Sequence, residues 1–220
     1  MSRGAHNSGF TLIELAVVVV VIGVLALLTV PAISSWISNL RVVGATREMA
    51  NVLSLARAEA IRSRVNHLVV FGQDGVGNPL QTPDGQDAAV LLARDDDGDG
   101  LPDPGEIVTS IPVDPSGQLS WGVSLATTRA PGDPQGVDGA PPVSPWTFQQ
   151  PTGALAQWVL FMPDGMPRGY RVAPYGAGGV GDGAGAVYLT NGARDYAVVL
   201  APLGGVNVLA WNPAAGQWRE

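Results

Sequence analysis

The stretch Ser8-Gly9-Phe10-Thr11-Leu12-Ile13-Glu14-Leu15 runs without a break into AVVVVVIGVLALLTV (16–30). From Leu15 to Val30 there is no charged residue. With Phe10–Ile13 in front and Pro31–Ile37 behind, the apolar segment covers 28 positions interrupted by one acid, Glu14. A helix needs roughly 20 residues to cross the hydrocarbon core of a bilayer, so 10–37 reads as a transmembrane helix. A cleavable secretory signal, with Arg3 as its basic region, is the other reading of the same composition. Two features weigh against it. The apolar run is long for a signal core, and the pattern behind it continues at helical period, with Pro31 expected to kink the helix rather than end it.

Past the proline, Val42, Ala45, Met49, Val52, Leu53, Ala56 and Ala60 recur at steps of three and four, while Arg47, Glu48, Asn51, Arg57, Glu59 and Arg62 take the other positions. That is one apolar stripe on an amphipathic helix. A single helix from about Phe10 to about Arg64 is therefore expected, roughly 80 Å long at ~1.5 Å per residue, with 38–65 as its soluble half.

Glu14 is the anomaly in this segment. A carboxylate in a membrane helix costs on the order of 2.5 to 3.5 kcal/mol on insertion scales, so such a residue either reaches the headgroups or has a function. The surrounding string, Gly9-Phe10-Thr11-Leu12-Ile13-Glu14 followed by an apolar helix and Pro31, resembles the processing signature of type IV pilins and type II secretion pseudopilins. The resemblance implies that residues 1–9 are a leader cut by prepilin peptidase between Gly9 and Phe10. It further implies that Phe10 is then N-methylated, and that Glu14 pairs with the amine of Phe10 on a neighbouring subunit. A buried carboxylate is tolerable when paired, which makes Glu14 an assembly residue on this reading.

The rest of the composition narrows the function. All 12 basic residues are arginine, against 19 acids, for a net charge of -7. Sixteen of the acids but only six of the arginines lie from His67 onward. Such a domain lacks the clustered positive charge that displaces counterions from nucleic acid, so nucleic acid is not expected as a partner. With no cysteine, disulfides, thiolate metal sites and cysteine nucleophiles are excluded. His6 falls in the leader, leaving His67 as the one mature histidine, and glycines of 176–185 lack the setting of a phosphate loop. No enzymatic activity and no required cofactor are expected.

After Arg64 the pattern changes to short strand-like runs: NHLVVFG, AAVLLARD, EIVTSIPV, QWVLFMPDG, GAVYLTN, DYAVVLAP and VNVLAWNP. Asp164-Gly165 and Asn191-Gly192 read as hairpin turns, and residues 126–145, rich in Pro and Gly, as a long loop rather than core. The expected fold class is α+β: a long N-terminal helix packed on a mostly antiparallel, sandwich-like domain over 66–220.

EMANVLSLARAEAIRSR, LFMPDGMPRG and GAVYLTNGARDYAVVLAPLGGVNVLAW resemble the H-type pseudopilin and FimT-like pilin group. This implies a minor pseudopilin of a type II secretion system, anchored in the inner membrane with its C-terminal domain in the periplasm. Its partners would be other pseudopilins through the N-terminal helix, prepilin peptidase, the inner-membrane assembly platform and exported proteins. A minor type IV pilus pilin acting in pilus biogenesis or DNA uptake is the alternative. The chain departs from the DNA-uptake members at Gly204-Gly205-Val206-Asn207, where they carry a Gly-Arg-x-Arg motif.

One further motif stands apart. In DDDGDGLPDPGE, Asp95, Asp97, Asp99, Gly100, the Leu101 carbonyl, Asp103 and Glu106 fit the spacing of a Ca2+ loop, in which hard oxygen ligands surround the ion and the glycine allows a sharp turn. Strand-like runs flank it, and Pro102 and Pro104 exclude a helix starting inside it, so it is no EF-hand. A solvated acidic hairpin tip that needs no ion fits the same residues, and a periplasmic Ca2+-binding module unrelated to pili is a third reading of the whole chain.

Overall fold

A computed structural model describes residues 11–73, 78–82, 84–112, 114, 117, 119–134, 140–149, 155–156, 158–170, 178–179 and 182–220. The chain divides into two compact units, one ending at Asn39 and the other running Leu40–Glu220.

Helix α1, Leu12–Ser63, runs without interruption through Pro31. In the first unit every described side chain from Thr11 to Ile37 is exposed. Among the described residues, no helix is long and apolar enough to cross a membrane. The side chains of residues 28 and 30–32 fall outside that description, in the middle of the uncharged run, so the described apolar stretch stops at Leu27.

In the second unit the stripe expected on α1 is buried: Val42, Met49, Val52, Leu53, Ala56 and Ala60 all face the core, while Ala45 is half-buried. Helix α1 stops where Arg64 takes a left-handed φ of 59°, its amide donating to the Ala60 carbonyl at 3.0 Å. Glycine is the usual residue there, because a Cβ disfavours this conformation.

Eleven strands follow: β1 (His67–Phe71), β2 (Leu80–Gln81), β3 (Asp87–Arg94), β4 (Ile107–Pro112), β5 (Ser120–Trp121), β6 (Trp158–Phe161), β7 (Pro167–Tyr170), β8 (Gly185–Thr190), β9 (Asp195–Leu200), β10 (Val206–Asn212) and β11 (Gln217–Arg219). They form two antiparallel sheets. The first has the order β2-β3-β1-β6-β7, with β4 also on β3; the second has the order β11-β10-β9-β8-β5. All seven strand-like runs of the sequence are strands. Gly165 and Gly192, with φ of 74° and 80°, close the β6–β7 and β8–β9 hairpins.

Side chains alternate across a strand, and here both faces of both sheets are covered. Val69 and Phe71 of β1 join Leu53, Val187 and Val198 in one core shared by the helix and the two sheets. Their neighbours Leu68 and Val70 pack on the opposite face with Leu91, Trp158 and Leu160. Central strands buried on both faces read as continuous apolar runs, which is why HLVVF and DYAVVL lack strict alternation.

The outer face of the second sheet is covered by a strap, residues 122–134, and residues 145–147 return to pair with β8. It has no regular strand, as expected of a loop, yet Ala126 and Ala130 are buried against Tyr188, Trp211 and Trp218. The expectation that 126–145 lies outside the core therefore fails at these two alanines, whose small side chains let the backbone approach the sheet. Asp195, fully buried, anchors the strap's start by accepting the amides of Ser124, Leu125 and Ala126 and the Thr190 hydroxyl at 2.6 to 3.0 Å. Asp133 anchors it further on, accepting from the hydroxyls of Thr147 at 2.8 Å and Tyr188 at 2.7 Å. Burial, together with the neighbouring Asp133 charge, holds the Tyr188 phenol well above its ordinary pKa.

Candidate functional site

Gly9 and Phe10 lie outside the described residues, as do His6 and Gly176. Glu14 lies inside them, and it is not isolated. The Thr11 amide donates to Glu14 Oε2 at 2.8 Å and the Thr11 hydroxyl donates to the same oxygen at 2.7 Å. In return the Glu14 amide donates to Thr11 Oγ1 at 3.3 Å, and the Leu15 amide makes the first helical bond to the Thr11 carbonyl.

This is a capping box, with Thr11 at the N-cap and Glu14 at the third helical position. The unpaired amides at a helix start attract negative charge, so a carboxylate suits that position. Glu14 thus begins the helix as well as interrupting its hydrophobicity. Oε2 carries both described hydrogen bonds. Oε1 takes none among the described residues and faces an exposed helix end. Thr11 is the residue missed by sequence reasoning, and Thr-x-x-Glu was the signal that could have found it.

The acidic loop between β3 and β4 brings together Asp95, Asp97 and Asp99, each offering a carboxylate oxygen within 4.8 Å of the others. Gly100, at φ 72°, donates its amide to Asp95 Oδ1 at 2.9 Å, the Asp99 amide donates to Asp97 at 3.1 Å, and the Leu101 amide donates to Asp99 at 2.7 Å. A Cβ at position 100 would collide with the Tyr170 hydroxyl, so only glycine fits.

Asp103 and Glu106 do not join the group. Glu106 is turned to the backbone, accepting the amides of Asp96 at 2.7 Å and Asp103 at 3.4 Å. Asp96 pairs with Arg94, whose guanidinium it holds above its ordinary pKa. Three carboxylates and no nitrogen or sulfur donor suit a hard cation such as Ca2+, which would take its remaining ligands from carbonyls or water.

The Gly204-Gly205 turn joins β9 and β10, and one arginine does reach it: Arg57 of α1 donates to the Gly204 carbonyl at 3.2 Å. The guanidinium is half-buried and used internally. His67 is buried, with Nδ1 3.0 Å from the Val65 carbonyl at the helix-to-strand junction. Neither residue joins the acidic carboxylate group among the described residues.

The chain matches none of the curated proteins and none of the solved structures with which it was compared. Residues 4–30 match the prokaryotic N-terminal methylation motif. That interval contains Gly9, Phe10, the Thr11–Glu14 cap and the uncharged run to Val30. The chain carries a type IV pilin-like prepilin signal.

Proposed function

We propose that the protein is a minor, H-type pseudopilin of a type II secretion system, a structural subunit with no reaction of its own. Prepilin peptidase removes residues 1–9, Phe10 is methylated, residues 10–37 anchor the subunit in the inner membrane, and the two-sheet domain lies in the periplasm. The observation that carries this reading is the prepilin signal running directly into a helix whose described side chains are all exposed from Thr11 to Ile37. Such a surface needs lipid or other helices to cover it.

Glu14 has a physical role in this scheme. Its Oε2 holds the helix cap while Oε1 is left to meet the methylated amine of a neighbouring subunit, so capping and pairing need not compete. Charge-assisted pairing of this kind is strongest where water is excluded.

Co-expression with prepilin peptidase, followed by intact mass measurement, tests the reading. The expected product lacks residues 1–9 and carries one methyl group on Phe10; an unprocessed chain, or one cut elsewhere, would sink it. An electrophoretic shift assay of the full chain in detergent at low salt separates the pseudopilin from a DNA-uptake pilin. Retarded DNA would favour the pilin, against the acidic domain and the internal use of Arg57.

The convergence of Asp95, Asp97 and Asp99 supports a second component, weak Ca2+ binding in the ~10⁻⁴ to 10⁻³ M range of extracytoplasmic sites. Calorimetric titration should give a saturable heat that Asp97→Ala abolishes. A chain that gives no heat, or a heat indifferent to that substitution, has an acidic tip and no site.

A further inference from the structure

Within the second unit, helix α1 leaves a groove of about 320 Å3 against the open edges of the two sheets, strand β4 on one side and β5 on the other. Its walls are Ala45 and Met49 of α1, Ile111 of β4, Leu119 and Trp121 at β5, and Leu189 of β8. That is apolar surface in a concave setting at the lower end of the size range of small-molecule sites. Three charges line the same groove: one cation, Arg41, and two anions, Glu48 and Asp114. Arg41 begins the groove four residues after Ile37, the end of the apolar segment in sequence.

We propose that this groove holds one acyl chain of a zwitterionic phospholipid with an ammonium headgroup, of the phosphatidylethanolamine kind. The signs of the lining charges favour this occupant. A phosphate suits Arg41, and an ammonium group suits Glu48 and Asp114; an anionic lipid would leave both carboxylates facing negative charge. Asp114 also accepts the Leu119 amide at 3.0 Å, which joins a charged and an apolar residue of the groove lining. Arg41 and Asp114 each make further polar interactions within the chain, so the headgroup shares these groups with the protein. A peptide strand pairing with β4 is the competing occupant. It would be held by backbone hydrogen bonds and would be indifferent to the Arg41 charge.

The proposal rests on the membrane anchoring proposed above, and its test is chosen to fail separately. Trp121 lines the groove and serves as the reporter, in a full-length Trp36→Phe chain in detergent micelles doped with lipid brominated on one acyl chain. Brominated phosphatidylethanolamine should quench the fluorescence at about two- to fivefold lower concentration than equally brominated phosphatidylglycerol, the range that one exposed charge pair contributes. Adding Trp121→Phe should remove the quenchable fraction, and adding Ala45→Phe, which fills the groove, should reduce it. Equal quenching by the two headgroups, no quenching, or a response unchanged by Ala45→Phe overturns the proposal. Displacement of the lipid by an extended apolar peptide at equal concentration would overturn it in favour of a strand partner. A chain that is not processed or not membrane-bound, yet shows the headgroup-dependent quenching, breaks the anchoring reading and leaves this one standing.

Discussion

Helix α1 is one element with two chemistries. In Leu40–Glu220 it buries a stripe of six residues, five of them, Met49, Val52, Leu53, Ala56 and Ala60, in a core it shares with both sheets. Before Asn39 its described side chains find no such core, and the only described polar device at its start is the Thr11–Glu14 cap. The same backbone geometry is thus satisfied internally in one region and left to outside partners in the other. Substitutions before Asn39 should therefore change assembly and leave folding alone, and those in Leu40–Glu220 should do the reverse.

The largest effect tests the first half of that contrast. Glu14→Gln keeps one carbonyl oxygen for the cap but removes the charge, so membrane insertion and cleavage should be normal while incorporation into filaments is lost. Undiminished incorporation in a shearing assay would break the pairing role. Next comes Asp195→Ala, which leaves three amides of the strap, among them that of the buried Ala126, and the Thr190 hydroxyl without this acceptor. It should cost about 3 kcal/mol and lower the thermal midpoint by roughly 6 to 12 °C, with processing by prepilin peptidase intact. A shift under ~2 °C would mean that the strap is not held as described.

Smaller effects sharpen the boundary at the end of α1. Arg64→Gly relieves a left-handed, non-glycine residue and should stabilise the domain by roughly 0.5 to 1 kcal/mol, read as a higher thermal midpoint. The smallest effect belongs to Glu59, whose carboxyl is held below the ordinary glutamate range chiefly by its hydrogen bond from Arg62. A depressed folded-state pKa gives stability that is present above the unfolded value and lost as pH falls through the folded one. Glu59→Gln should therefore narrow the fall in thermal midpoint below the ordinary glutamate pKa and matter little at acidic extremes, where both chains are uncharged at that position. A difference that grows below that window would contradict the assignment.

The parts of the fold readable from sequence were those with local signals. Val42 to Ala60 show the helical stripe, and seven strands announce themselves as apolar runs between turn residues. Strands β2, β5 and β11 have only two or three residues, too few to show a period, and β7 is Pro-Arg-Gly-Tyr, whose proline and glycine argue against a strand. The strap escaped for a different reason. Asp195 reaches amides some 70 positions earlier, and Trp218 donates to the Thr128 carbonyl, pairings that only the folded chain creates. In the candidate site, Glu14 and the acidic loop stand out as charge in unexpected places. The turning of Glu106 toward backbone amides depends on how Pro102 to Gly105 fold, which spacing does not record.

The strap's anchors have a practical consequence. Asp195 and Asp133 fix it before residue 134, and Thr147 receives it again, so the chain ends of the intervening segment are held by the sheet. Lengthening a segment whose ends are already fixed adds little closure entropy, about 0.6 kcal/mol for each doubling. Val143, exposed between these anchors, is accordingly the place to insert an epitope or a fluorophore-binding tag. A reporter there would leave the helix, the cap and the acidic loop untouched while the subunit is followed into a filament.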